Sequence, residues 1–186
     1  MRTLAITQNI TVDGAVEMLG NWFNPQEQAG ADNADLLAEL RKQDSEADGL
    51  LLGRKTFADF RGFWPKQTDD RTGIADYLNQ VRKYVVSATL TDPGWDNSTI
   101  VTGDVVAAVR ALKEQAGRDI VVTGSITLCH ALIGAGLVDE YRLFTYPAVQ
   151  GRGRRLFPEG LELPALTLLD SASFRGGVTY TRYGLA

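Results

Sequence analysis

Short runs of apolar residues alternate along the chain with longer segments in which apolar residues recur at helical spacing. Runs such as 50–52 and 120–122 are apolar without interruption, which is typical of parallel strands buried on both faces. The clearest helix spans 104–116, where Asp104 stands at the position of an N-cap. The predicted strands are 4–6, 50–52, 84–86, 99–101, 120–122, 141–146, 166–174 and 178–183, and the predicted helices are 34–43, 54–60, 104–116 and 125–135.

The order of these segments predicts the fold class. Repeated alternation of strand and helix indicates a three-layer α/β/α architecture around a mostly parallel mixed sheet. The last two strands, separated by a glycine pair at 176–177, predict a C-terminal antiparallel β-hairpin at one edge. Segments 9–33 and 61–73 are expected to be loops. No linker divides the chain, so we expect a single domain over residues 1–186.

Composition and charge argue against several classes of function. Nineteen Lys and Arg against 23 Asp and Glu give a formal net charge of −4, which disfavours nucleic acid or an anionic membrane as a partner. One cysteine and one histidine rule out an intramolecular disulfide and give no support to a metal site or a hydrolase triad. The N-terminus lacks a signal-like apolar core and no apolar run approaches 18 residues, so we expect a cytoplasmic protein.

Two segments, 50–57 and 120–128, share the order apolar strand, glycine, helix start. A glycine there lets a ligand approach the backbone, and the free N–H groups of the following helix can bind phosphate. In the first segment Arg54, Lys55 and Thr56 add charge and a hydroxyl suited to phosphate. Each segment alone is equally consistent with an ordinary turn carrying a solvated basic pair. Together, in a glycine-rich α/β chain, they favour a nucleotide ligand.

A third strand end carries Ser87 and Thr89, which either accept a phosphate or close a turn. The chain contains neither a GxGxxG fingerprint nor a Walker A sequence. An ordinary Rossmann dehydrogenase and a P-loop kinase are therefore disfavoured.

The order and spacing of these motifs resemble the dihydrofolate reductase superfamily over nearly the whole chain. Within it, the chain looks most like the branch named for the C-terminal reductase domain of the bacterial riboflavin-biosynthesis deaminase-reductase. The motifs that carry the resemblance are Asp13-Gly14, Gly53-Arg54-Lys55-Thr56-Phe57, Val86-Ser87, Val122-Thr123-Gly124-Ser125, Gly136-Leu137-Val138-Asp139-Glu140-Tyr141, Pro147, Gly151, Gly153 and Arg155-Leu156-Phe157.

The resemblance implies an NADPH-dependent reductase. Residues 54–56 and 124–128 would bind the phosphates, 87–89 would lie near the 2′-phosphate of the adenosine ribose, and 5–6 would meet the nicotinamide carboxamide through backbone groups. The loop 11–22 would cover the nicotinamide. The residues implied to bind the cofactor are Ala5, Ile6, Gly53, Arg54, Lys55, Thr56, Ser87, Ala88, Thr89, Gly124, Ser125, Ile126, Thr127 and Leu128.

One position departs from the family pattern. The family usually has two glycines where this chain has Gly124-Ser125, and the side chain of Ser125 would crowd the phosphate unless its hydroxyl compensates. In the superfamily that glycine pair is joined by a cis peptide. The resemblance therefore implies a cis bond between Gly124 and Ser125, at a cost of about 2.5–4 kcal/mol.

The substrate side is less well defined. Folate-reducing members carry an acid on the first helix, and here Leu36 takes that place with Asp35 beside it, which argues against dihydrofolate itself. Asp13 is the alternative proton donor, although an Asp-Gly turn explains it equally simply. Four aromatic residues are candidates either for a wall facing a flat substrate or for the hydrophobic core; they are Trp22, Phe57, Phe60 and Trp64.

The sequence thus favours an NADPH-dependent reductase that transfers a hydride to a small heteroaromatic or carbonyl substrate. A nucleotide-binding module that kept the fold without turnover, and a true dihydrofolate reductase, remain as alternatives. The terminal hairpin would leave an exposed sheet edge, and members of this branch commonly associate through that region, so a homodimer is expected.

Overall fold

The computed structural model describes residues 1–24 and 31–185. Part of the predicted loop 9–33, residues 25–30, and the predicted domain limit at Ala186 lie outside the described residues. The strands are β1 (Leu4–Thr11), β2 (Ala47–Gly53), β3 (Arg82–Val86), β4 (Ser98–Val101), β5 (Asp119–Thr123), β6 (Glu140–Tyr146), β7 (Leu166–Ser173) and β8 (Thr179–Leu185). The helices are α1 (Ala34–Glu46), α2 (Arg54–Phe63), α3 (Ile74–Gln80), α4 (Val105–Glu114) and α5 (Ile126–Gly134).

The strands form one sheet in the order β4-β3-β2-β5-β1-β6-β8-β7. The first six of these are joined by parallel pairs, and β8 is antiparallel to both β6 and β7. The predicted fold class, a mostly parallel mixed α/β sheet with a C-terminal antiparallel hairpin, is confirmed.

Helices cover both faces of the sheet, as alternate residues of β2 demonstrate. Leu51 packs in a cluster with residues of α4 and α5, including Val109 and Leu132. Leu50 and Leu52 point the other way and pack with α2 and α3. On that second face α1 covers β6 and β8 near the antiparallel edge.

Several elements extend beyond the bounds that the sequence pattern predicts, among them β1, β2, α1 and α2, and one helix, α3, was not predicted. The helix predicted over 34–43 continues to Glu46, and the segment after the predicted loop 61–73 forms α3. Helix α3 is too short for a clear apolar period, and its start is set by contacts within the preceding turn. Gly73 precedes it with a φ of 85°, and the Asp70 carboxylate accepts a hydrogen bond from Ala75 N at 2.9 Å.

No helix among the described residues is both long and apolar enough to cross a bilayer. Within the same part of the chain, no group of three or more His, Cys, Asp or Glu side chains is arranged to hold a metal ion.

Candidate active site

A cavity of about 910 Å³ opens at the carboxyl ends of the central strands and runs between the helices of one face. This is where ligands bind in open α/β sheets. Its outer half is formed by the two predicted glycine turns, 53–56 and 124–128, and by residues 16–19 of the loop after β1. Its inner half lies between α1 on one side and α2 and α3 on the other.

The two glycine turns are joined directly to each other. Gly53 N donates a hydrogen bond to Ser125 Oγ at 2.9 Å, and Ser125 N donates one to Thr56 Oγ1 at 2.9 Å. Gly124 lies so close to α2 that a Cβ on it would be 2.9 Å from Thr56 Cγ2. The backbone of these two turns therefore forms one continuous surface. In the sequence the two turns are visible only as separate motifs.

The structure corrects the expectation of a cis peptide between Gly124 and Ser125. Cis peptide bonds are absent throughout the part of the chain that the structure describes, so this bond is trans. The chain turns instead through two successive left-handed residues, with φ of 55° at Gly124 and 48° at Ser125. Ser125 holds this uncommon conformation while its hydroxyl and its amide are bonded to the opposite turn.

The helices that begin at these turns have uncapped N-termini. Neither Gly53 before α2 nor Ser125 before α5 makes a side-chain capping hydrogen bond. Helix α4 is the contrast, because the Asp104 carboxylate accepts hydrogen bonds from Val106 N and Ala107 N. First-turn amides have no partner within their own helix, so those of α2 and α5 can donate to a phosphate in the cavity.

Positive charge lies at the same end. Arg54 and Lys55 are exposed, line the cavity and form no ion pair with any described residue. Arg154 also lines the cavity, where it pairs with Glu17 at 3.0 Å and donates to Thr127 Oγ1 at 3.3 Å. The hydrogen bond from Arg154 N lowers the pKa of Glu17. This end is therefore suited to an anion.

The third predicted phosphate contact closes its own turn. Ser87 Oγ accepts hydrogen bonds from Thr89 N at 3.2 Å and Leu90 N at 2.9 Å, and the side chain is buried. Ser87, Ala88 and Thr89 do not line the cavity. The hydroxyl of Ser87 thus closes a turn, which was the alternative to binding a phosphate.

The part of β1 that lines the cavity lies further along the strand than Ala5 and Ile6, the residues implied to meet the nicotinamide carboxamide. Both residues are fully buried, and their backbone lies inside the parallel ladder with β5 and β6. The residues of β1 that line the cavity are Thr7, Gln8 and Asn9. The prediction that the first strand ends at residue 6 is wrong, because β1 continues to Thr11.

Asp13 ties two loops together away from the cavity lining. Its carboxylate accepts hydrogen bonds from Thr11 Oγ1 at 2.6 Å, Gln150 N at 3.0 Å and Gly151 N at 2.7 Å. These bonds, that of Thr11 foremost, lower the pKa of Asp13 to about 2. A carboxyl that is ionised at neutral pH is a poor proton donor, so the structure does not support Asp13 as the catalytic acid.

The four candidate aromatic residues separate into two pairs. Phe60 and Trp64 line the cavity, while Phe57 is buried in the cluster beneath α2 and is absent from the lining. Trp22 donates to Gln150 Oε1 at 2.9 Å and packs edge-on against Tyr146. Phe60 and Trp64 therefore line the cavity, although Trp64 is also buried in the same core cluster as Phe57, and Phe57 and Trp22 lie outside the lining.

Sequence reasoning missed most of the inner half. Residues at successive turns of α1 face the cavity there, and they are Leu36, Leu40, Gln43 and Asp44. Their spacing of four, three and one residues places them on one side of a helix. This spacing is visible in the sequence and could have identified them as one helix face. Asp35 points away, since its carboxylate accepts from Arg175 N at 3.0 Å, which lowers its pKa.

Comparisons with known proteins agree with this architecture. The sequence matches the RibD C-terminal domain family over residues 2–180. It is 32% identical over 142 residues to the uncharacterised protein YyaP of Bacillus subtilis strain 168, covering 75% of this chain and 74% of YyaP.

Two solved structures share the fold. A protein of Shewanella sp. PV-4 provisionally assigned to riboflavin biosynthesis aligns with a TM-score of 0.70 at 19% identity, covering 98% of each chain. Dihydrofolate reductase of Enterococcus faecalis, in complex with NADP(H), aligns with a TM-score of 0.62 at 16% identity, covering 98% of this chain and 95% of the enzyme. The chain therefore belongs to the RibD C-terminal domain family and has the dihydrofolate reductase-like fold.

Proposed function

We propose that this protein is an NADPH-dependent reductase that transfers a hydride to a small heteroaromatic or carbonyl substrate. Membership of the RibD C-terminal domain family supports a reductase-type function. The observation that carries the proposal is the joined pair of turns, in which two uncapped helix N-termini and the free cations Arg54 and Lys55 face one cavity.

The outer half fits the phosphates of a dinucleotide. The first-turn amides of α2 and α5 donate hydrogen bonds, Arg54 and Lys55 supply charge, and Gly124 keeps the surface flat where a side chain would collide with Thr56. The cavity volume of about 910 Å³ is at the upper end of the usual range for ligand sites, about 300–1,000 Å³. When bound, NADPH supplies the hydride.

The inner half would hold the substrate. Apolar side chains from α1 and α2, among them Leu36, Leu40 and Phe60, line it and keep water from the reacting atoms. Thr7 and Asn9 present polar groups from β1 at the boundary between the two halves. This arrangement orients a flat substrate against the end of the sheet.

The test is direct titration and turnover. NADPH is expected to bind more tightly than NADH, and NADPH consumption is expected with at least one member of a panel of pterins, riboflavin precursors and quinones. No binding of NADPH would refute the proposal. Binding of NADPH without turnover of any of these substrates would favour the second candidate, a nucleotide-binding module. Two observations favour the nucleotide-binding module. Asp13 is absent from the cavity lining, and Leu36 stands where folate-reducing members carry an acid.

A true dihydrofolate reductase is the less favoured enzyme. Asp35, the acid nearest the expected position, is bonded to Arg175 N and pairs with the Arg175 side chain at 3.4 Å. In the same assay, turnover confined to dihydrofolate would reverse this order of preference.

We also propose a homodimer that associates through the exposed edge of the sheet. Strand β7 is one of the two edge strands of the sheet, and Leu168 and Leu169 on it are about half exposed, at 53% and 51%. An apolar, unpaired edge favours association with a second copy. Sedimentation at micromolar concentration should give twice the chain mass of 20.3 kDa, and a species of 20.3 kDa alone would contradict the proposal.

A further inference from the structure

The inner end of the cavity carries oxygen atoms from two helices that face each other. Gln43 and Asp44 line it from α1, and Tyr77 lines it from α3. The walls leading to this end are apolar, with Leu36 and Leu40 on α1 and Ile74 on α3. A ligand that enters from the outer half therefore passes apolar surface before it reaches a polar group.

Asp44 is the unusual member of this group, because its carboxyl forms no hydrogen bond or ion pair with any residue that the structure describes. Burial raises the pKa of Asp44 to about 7. Tyr77 is close enough to interact, since burial and then the Asp44 charge raise the pKa of the Tyr77 phenol. Buried carboxyls are ordinarily paired, so a carboxyl in a cavity without a partner indicates a ligand group.

Gln43 gives a second, independent indication. Its side chain is only 7% exposed, and its Nε2 donates to Glu39 Oε1 at 2.8 Å. Its Oε1 is buried and has no hydrogen-bond partner within 1–24 and 31–185. Buried acceptors in folded proteins nearly always have a donor, so the described protein beside this end of the cavity leaves an acceptor unsatisfied.

The cations near this end are already engaged elsewhere. Arg118 and Arg142 lower the pKa of Tyr77, and Asp48 raises it, so all three act on this region. Arg142 pairs with Asp119 and Glu140 through Nη2, and Arg118 Nη1 donates to Ser45 O. The buried Nη1 of Arg142 has no hydrogen-bond partner among the described residues, but Arg142 is not part of the cavity lining. Arg118 N donates to Asp48 Oδ2, and the Asp48 carboxylate also pairs with Arg2. The charge of an ionised Asp44 is therefore left for a ligand to balance.

We propose that the inner end of the cavity recognises a cationic nitrogen group, an amine or an amidine, carried at the end of an apolar or aromatic body, with Asp44 as its ion-pair partner. The proposal rests on the proposed function in so far as the group would belong to the substrate. A ligand ending in a carboxylate or phosphate would meet the same charge as its own and would be rejected. Asp44 is then a specificity determinant at the opposite end of the cavity from Arg54 and Lys55.

Such binding has a defined pH dependence. The cation pairs with ionised Asp44, so below pH 7 the carboxyl must first release its proton. The affinity for a cation should then fall as the pH is lowered from 8 to 5, by up to about tenfold per pH unit below the pKa. A neutral ligand of the same shape should show no such dependence.

The experiment uses three small probes of matched shape on the full chain: benzamidine, benzamide and benzoate. Isothermal titration calorimetry at pH 5 and pH 8 should show benzamidine binding at least tenfold more tightly at pH 8. At pH 8, with saturating NADPH occupying the anion-binding outer half, benzamide should bind at least tenfold more weakly than benzamidine, and benzoate should not bind. Equal affinities of benzamidine and benzamide at pH 8 would overturn the proposal.

Two variants locate the effect. Asp44→Asn keeps the shape of the side chain and should remove both the pH dependence and the preference for benzamidine. Asp59→Asn is the matched control, because Asp59 also lines the cavity but is exposed to solvent on α2, and it should behave as the wild type. A preference that survives in Asp44→Asn, or disappears in Asp59→Asn, would contradict the assignment to Asp44.

The measurement is made with and without saturating NADPH. Benzamidine binding that follows Asp44 in a protein that neither binds nor oxidises NADPH would support this inference and refute the proposed function. NADPH turnover in a protein that shows no preference for benzamidine would do the reverse.

Discussion

The two halves of the cavity present polar groups in different ways. In the outer half the polar atoms belong mainly to backbone at the ends of strands and starts of helices, held together by the hydroxyls of Thr56 and Ser125. In the inner half they belong to side chains of α1 and α3, and Asp44 has no partner among the described residues. The outer half is thus built to meet a negative charge and the inner half to meet a positive one.

The two halves also differ in how far apart in the sequence the residues that form them lie. A glycine between a strand and a helix produces the geometry of the outer half wherever it occurs, because the free amides follow from the helix start itself. The properties of Asp44 depend on a second helix that is about 30 residues away in the sequence.

The largest expected effect is on stability, at Asp44. The folded state holds the Asp44 proton up to about pH 7, whereas the unfolded chain releases it near the ordinary value of 3.8. The wild-type protein therefore loses stability as the pH rises from about 4 to about 7. At pH 8, Asp44→Asn should raise the free energy of unfolding by about 2–4 kcal/mol.

Urea unfolding at pH 5 and pH 8 measures this change. The advantage of Asp44→Asn should be larger at pH 8 than at pH 5, and Asp59→Asn should stay within about 0.5 kcal/mol of the wild type at both. A stabilisation of Asp44→Asn that is the same at the two pH values would show that Asp44 does not titrate as described.

The next effect concerns the joined turns of the outer half. Gly124→Ala places a Cβ 2.9 Å from Thr56 Cγ2 at a residue with a φ of 55°. Both the contact and the conformation oppose the substitution, so we expect a loss of about 1–3 kcal/mol in stability. NADPH affinity should fall at least tenfold, as measured by fluorescence titration.

Gly134→Ala is the control for this variant. Gly134 ends the same helix, α5, and a Cβ on it would meet no atom within 4 Å. That change should leave NADPH affinity as it is and keep or slightly raise stability, by up to about 1 kcal/mol. If the two variants lose the same affinity, the effect belongs to α5 as a whole and not to the close approach at Gly124.

The cations of the outer half should affect cofactor choice. Replacing Arg54 and Lys55 together by Gln removes charge-assisted contacts worth on the order of 1.5–3 kcal/mol, so NADPH affinity should fall by roughly ten- to a hundredfold. NADH affinity should fall less, because NADH has one phosphate fewer. Lys66→Gln is the control, an exposed cation outside the cavity lining. Equal wild-type affinities for NADPH and NADH would contradict the prediction.

The smallest effect is expected at Ser125. Ser125→Gly loses the hydrogen bond from Gly53 N, worth about 1 kcal/mol, and gains a similar amount by relieving a left-handed conformation. Stability should change by less than about 1 kcal/mol, and NADPH affinity should be unchanged or higher. A loss of more than about tenfold in NADPH affinity would identify the Ser125 hydroxyl as a direct phosphate ligand.

Several features of the site are local and were predicted from the sequence. The turns at 53–56 and 124–128 lie where the apolar runs end, because an uninterrupted apolar run followed by glycine determines both the strand and its carboxyl end. The glycine pair at 176–177 likewise predicts the turn between β7 and β8. Asp104 caps α4 as its position before the helix predicts.

Other features depended on contacts between distant segments. The sequence pattern ends the first strand at residue 6, whereas pairing with β6 extends β1 to Thr11 and moves the cavity-lining residues to 7–9. From the sequence, Asp13 is either a turn residue or a proton donor. The hydrogen bonds that its carboxylate accepts from the distant residues Gln150 and Gly151 favour the structural role.

The sequence by itself thus determined the order of the strands, the fold class and the two glycine turns of the outer half, because each depends on residues that are adjacent in the chain. The tertiary structure decided the rest. It brought Gly53 within hydrogen-bond distance of Ser125, buried Phe57 and placed Asp44 opposite Tyr77. The ionisation of a carboxyl depends on how much water and which charges surround it, and for Asp44 burial beside the cavity between α1 and α3 raises the pKa.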